Sequence, residues 1–85
     1  MTLDTLPTGR AALITGFAAG AGELETKLRE IGFAEGDEVE ILHVGPFGSA
    51  SICVRLNRTM VALRRREAAT IEVAEIETGL KVAAE

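Results

Sequence analysis

Ser51-Ile52-Cys53-Val54-Arg55-Leu56-Asn57-Arg58-Thr59-Met60-Val61-Ala62-Leu63 is the stretch that decides the fold. Aliphatic residues recur at every second position on both sides of Asn57-Arg58, the pattern of two half-buried strands joined by a two-residue turn. Such a turn pairs Val54 with Val61 and Ile52 with Leu63 on one face. Upstream, Glu38 to Gly45 reads as another strand and Pro46-Phe47-Gly48-Ser49 as the turn after it. With Gly48 at the midpoint, Leu42 pairs with Val54 and Val44 with Ile52, so these residues make up the expected core face. The opposite face then carries Ile41, His43, Cys53, Arg55, Met60 and Ala62, a mixed set that a helix, a partner or solvent must cover.

Further out, Gly20-Ala21-Gly22 breaks the chain, and Leu24, Leu28 and Ile31 then recur at helical spacing among charged residues. This predicts an amphipathic helix, supported by the spacing of Glu23 with Lys27 and of Glu25 with Arg29. Gly32 is expected to end it at positive φ, letting Phe33 pack back on Leu28. Before the helix, Ala11 to Ala18 predicts a strand with Leu13, Thr15 and Phe17 on one face and Ala12, Ile14 and Gly16 on the other. Leu3 and Leu6 read as apolar anchors of a short turn ahead of Pro7. Arg64 to Ala69 reads as one helical turn leading into a last strand, Thr70 to Ala74, with Ile71 and Val73 inward. Residues 77–85 show no clear period, although Leu80 and Val82 have the character to extend the sheet. The expected fold is mainly β: a small, partly open SH3-like β-barrel of about five strands with one inserted amphipathic α-helix.

The chain has 85 residues, enough for a single core, and 47% of them are hydrophobic. Three Phe supply all the aromatics, so the core must be aliphatic and thin. No apolar run approaches the ~20 residues needed to span a bilayer. The first seven residues lack the charged and apolar regions of a secretory signal, which predicts a cytoplasmic protein. Cys53 is the single cysteine, which rules out an internal disulfide and fits a reducing compartment. Net charge is −4, yet five of the nine basic residues, Arg55, Arg58, Arg64, Arg65 and Arg66, fall within a short stretch. Glu30, Glu35, Asp37, Glu38 and Glu40 crowd another, so an electrically two-faced surface is expected.

The residues that could carry chemistry are few. No nucleophile signature surrounds Ser49, Ser51 or Cys53, and the glycines lack the phosphate-loop ending, so no enzyme is expected. His43 and Cys53 fall opposite each other on neighbouring strands and are the sharpest metal candidates. Two ligands fall short of the four of a structural zinc, so neither a resident metal nor another cofactor is expected. The acidic run is read as a solvated face rather than a cation site. The arginines raise nucleic acid as a ligand, but the domain is acidic and no exposed aromatics interleave with them. A protein partner with an acidic patch fits better, at a face around Ile41, Cys53, Met60 and Ala62 bordered by Arg55, Arg64, Arg65 and Arg66. The competing reading docks the helix stripe on that face and leaves nothing exposed.

Leu28-Arg29-Glu30-Ile31-Gly32-Phe33, then Gly36 and Glu38-Val39, resembles the helix-end signature of the FeoA family. Ala62-Leu63-Arg64, Glu67-Ala68 and Ile71-x-Val73 resemble the motif that ends its barrel, and Leu6-Pro7-x-Gly9 its opening. The resemblance implies one barrel domain over residues 1–76 with a C-terminal tail at 77–85. It also implies no catalysis, no direct membrane insertion, and a cytoplasmic role modulating FeoB, the GTPase of ferrous-iron transport, by binding its cytoplasmic region. A weak Fe2+ contact and self-association are left open. A related domain ends some iron-dependent repressors, which makes a metal-responsive regulatory module the alternative. Where the family commonly has Pro-Leu-Gly-Asp-Pro, this chain has Pro46-Phe47-Gly48-Ser49-Ala50. It also lacks the usual Gly in the hairpin at Asn57-Arg58, so either Arg58 takes positive φ at a cost or the turn is longer.

Overall fold

The computed structural model describes residues 1–45 and 51–76. The expectations for the turn at Pro46 to Ser49 and for Leu80 and Val82 lie outside the described residues. The chain forms a 3-10 turn at Leu3–Thr5, strand β1 at Ala11–Phe17, helix α1 at Glu23–Ile31, β2 at Glu38–Val44 and β3 at Ser51–Leu56. It continues through β4 at Thr59–Arg64 and a short helix, α2, at Arg65–Ala68, to β5 at Ile71–Glu75. The five strands form one antiparallel sheet in the order β4-β3-β2-β1-β5. The fold is thus mainly β and SH3-like, with the sheet not closed.

The β3–β4 hairpin has the register that its alternation dictates, with Val54 opposite Val61 and Ile52 opposite Leu63. Its tight turn does not strain Arg58. Asn57 takes positive φ, at 54°, a conformation that Asn tolerates better than other side-chain-bearing residues. The Asn57 N–H donates to Glu38 O at 2.8 Å, and Asn57 Oδ1 accepts from the Glu38 N–H at 3.2 Å, which ties the turn to β2.

The β2–β3 register differs from the expectation in one respect. Val44 does face Ile52, but Ile41 rather than Leu42 pairs with Val54, because a bulge shifts the register between Ile41 and His43. One extra residue reverses which side chains face inward on either side of it. Ile41 therefore lies in the core at 3% exposure, which corrects its assignment to the outer face. Leu42 is half-buried and Val44 is exposed. A second bulge interrupts the β1–β5 pairing between Ile14 and Gly16.

Leu3, Leu6, Ile14, Leu28, Phe33 and Ile71 are buried together with the inward residues of the sheet. Leu28 alone of the α1 stripe is fully buried; Ile31 is exposed. A Schellman arrangement closes α1: the Gly32 N–H reaches Arg29 O and the Phe33 N–H reaches Leu28 O, at 3.1 and 3.0 Å. Gly32 holds φ 130°, as expected. Glu67 anchors the corner between β4 and β5. It accepts the Arg64 N–H and the Lys27 Nζ, each at 2.8 Å, and so joins α2 to α1.

Candidate functional site

The outer face of the β2–β3–β4 sheet gathers the residues singled out above. Strand alternation sets Cys53 and Arg55 on β3 beside Ala62 and Met60 on β4, with Arg64 opposite Ser51. On β2, His43 faces Cys53 and Glu40 faces Arg55. Met60 is the most exposed large apolar residue among those described, at 70%, and Ala62 and His43 are also exposed. Helix α1 does not cover this face, because its one buried side chain, Leu28, belongs to the core cluster on the inner side.

The charges are distributed differently from the expectation of two faces. Arg55 is not a free rim charge: its Nη2 donates to Glu38 Oε2 at 2.8 Å and Glu40 Oε1 at 2.9 Å, and its Nη1 to Asn57 O. Arg29 forms a two-armed pair with Glu35, reaches Glu25 and lies over the Phe17 ring at 4.5 Å. That hydrogen bonding lowers the Glu35 carboxyl to about 2. Lys27 bonds Glu67 instead of Glu23, and Arg10 pairs with Glu75. Asp37 accepts the Ala34 N–H. Most of the acidic run is thus matched locally. Three exposed arginines, Arg58, Arg64 and Arg66, form no side-chain salt bridge among the described residues, and all three lie on β4 or just beyond its ends. Arg65 is exposed beside them.

His43 and Cys53 are brought together as the register requires. Among the described residues no group of three or more His, Cys, Asp or Glu side chains is placed to hold a metal ion. The pair offers two ligands of the type that transition metals favour, and no third.

The profile of the FeoA domain matches residues 1–75. The chain belongs to the FeoA family. A curated FeoA relative, the putative Fe(2+) transport protein A of Campylobacter jejuni, is 37% identical over 73 residues, covering 86% of this chain and 96% of its own. The solution structure of iron(II) transport protein A from Clostridium thermocellum superimposes with a TM-score of 0.78 at 39% identity. That match covers 93% of this chain and 47% of that one, so this chain spans about half its length. The Stenotrophomonas maltophilia FeoA crystallised with zinc, described as a prokaryotic SH3 domain protein, matches at 34% identity and a TM-score of 0.73, covering 87% and 89% of the two chains. A manganese-dependent transcriptional repressor shares the FeoA fold at 17% identity, with a TM-score of 0.79, over 41% of its length. At that identity the likeness is one of fold alone. The signal that sequence reading missed is the bulge at Leu42, which a count of alternating residues cannot register.

Proposed function

We propose that this FeoA-family chain is a non-catalytic accessory protein of ferrous-iron transport that works in the cytoplasm by binding the membrane GTPase transporter FeoB and modulating it. The supporting observation is the outer face of β3 and β4, where Met60 and Ala62 stand exposed beside arginines that form no salt bridge among the described residues. An apolar centre with a charged rim is the anatomy of a protein contact. The transport role comes from family membership and the names its relatives carry. No helix among the described residues is long and apolar enough to cross a membrane. His43 and Cys53 offer a ferrous ion two ligands, enough for a passing contact. Deleting the gene tests the reading: ferrous-iron uptake should fall and be restored by the intact chain. Unchanged uptake would contradict it.

A further inference from the structure

The sheet has two edges, and the fold treats them differently. The outer edge of β5 is held by the N-terminal residues: Thr2 bridges Glu72, and the Val73 N–H donates to Met1 O at 2.9 Å. At the other edge, β4 has no neighbour beyond it among the described residues. A two-residue hairpin closes on a hydrogen-bonded pair, here Leu56 and Thr59, and bonded pairs then alternate along the ladder. Val61 and Leu63 therefore bond to β3, whereas Met60, Ala62 and Arg64 turn their N–H and C=O groups outward. The Arg64 amide confirms this phase, since it bonds Glu67 rather than β3. Among the described residues the open edge is thus the backbone of Met60 and Ala62, with the exposed side chains of Arg58 and Arg64, neither in a salt bridge, at its two ends.

We propose that the β4 edge takes an extended segment of a partner protein as an added strand, with carboxylates at the ends of that segment and small apolar side chains between them. Main-chain bonds to Met60 and Ala62 supply affinity, and the side chains facing 58, 60, 62 and 64 supply selectivity. The charges argue against a second copy, because antiparallel pairing of two β4 strands centred on Val61 would set Arg58 of one against Arg64 of the other, and pairing centred on Ala62 would set Arg58 against Arg66. Nucleic acid is disfavoured by the net charge of −4 and by the lack of an aromatic side chain on this strand to stack a base. The inference rests on the reading that the chain works through protein contact, but not on FeoB being the protein.

The test is a titration of the full chain, followed by amide NMR, with the peptide Glu-Thr-Val-Thr-Val-Thr-Glu and with its counterpart carrying lysine at both ends. The acidic peptide should shift the Met60 and Ala62 amides and slow their exchange, more weakly in high salt, and the lysine peptide should not. The double variant Arg58→Glu/Arg64→Glu should reverse the preference. Met60→Pro, which removes an outward N–H but no ladder bond, should weaken the acidic peptide about tenfold. If that variant unfolds, the charge reversal still decides. Several results would overturn the proposal: no binding by either peptide, equal binding by both, a short oligothymidylate binding the same amides more tightly, or Met60 and Ala62 amides already protected in the free chain. FeoB is absent from this assay, so its failure leaves the transport reading standing, whereas failure of FeoB binding alongside a successful titration does the reverse.

Discussion

Gly32 ends α1 at φ 130°, a region that side chains with a Cβ rarely adopt. A Cβ there would meet Leu56 Cδ2 at 3.6 Å, an ordinary contact, so the requirement for glycine is conformational rather than spatial. Gly32→Ala is expected to lower stability by about 1 kcal/mol. Gly16→Ala is the control: its φ is not in the left-handed region, and its Cβ would lie 3.7 Å from Glu72 Oε1, so the denaturation midpoint should barely move. Glu67 is a different kind of residue, a buried carboxylate at 4% exposure held below the usual carboxylate range, first by the Arg64 N–H and then by Lys27. A carboxyl whose folded pKa is depressed stabilises fully above its unfolded value of about 4.3 and loses that contribution as pH falls through the folded pKa. Stability should therefore decline below about pH 4. Glu67→Gln keeps an acceptor for Arg64 but loses the charge, so it should lower stability at pH 7 and flatten the acid decline in urea titrations read across pH.

At the scale of elements, the helix cap and the β3–β4 register were legible because both depend on local rules: a glycine after an apolar stripe, and a two-residue turn between alternating strands. The phase of β2 was not. Glu38 to Val44 alternates with no residue that marks a bulge, and only tertiary packing decides that Ile41 goes inward and His43 stays opposite Cys53. The arginines were legible as a cluster, but their partners were not, since the pairing of Arg55 with Glu38 and Glu40 runs across strands distant in sequence. The corrected phase separates two neighbours on paper. Ile41→Asp puts a charge into the core and should unfold the protein, whereas Met60→Asp should leave its circular dichroism unchanged. Equal behaviour of the two variants would contradict the placement of the bulge.

For the whole molecule, one core of aliphatic side chains around Phe33 is expected to fold without a resident ion, since His43 and Cys53 supply only two of the four ligands of a structural zinc. Treatment with a chelator should leave the melting curve in place, and a tightly held zinc or iron whose removal unfolds the chain would contradict that account. The same arrangement, with the core inside and Met60, Ala62 and arginines without salt bridges outside, is the basis of the proposed role in binding. The most direct test is calorimetric titration of the cytoplasmic part of FeoB with the intact chain and with Met60→Asp. The account predicts saturable binding by the intact chain and its loss in a variant that remains folded. No binding by the intact chain, or undiminished binding by Met60→Asp, would contradict it.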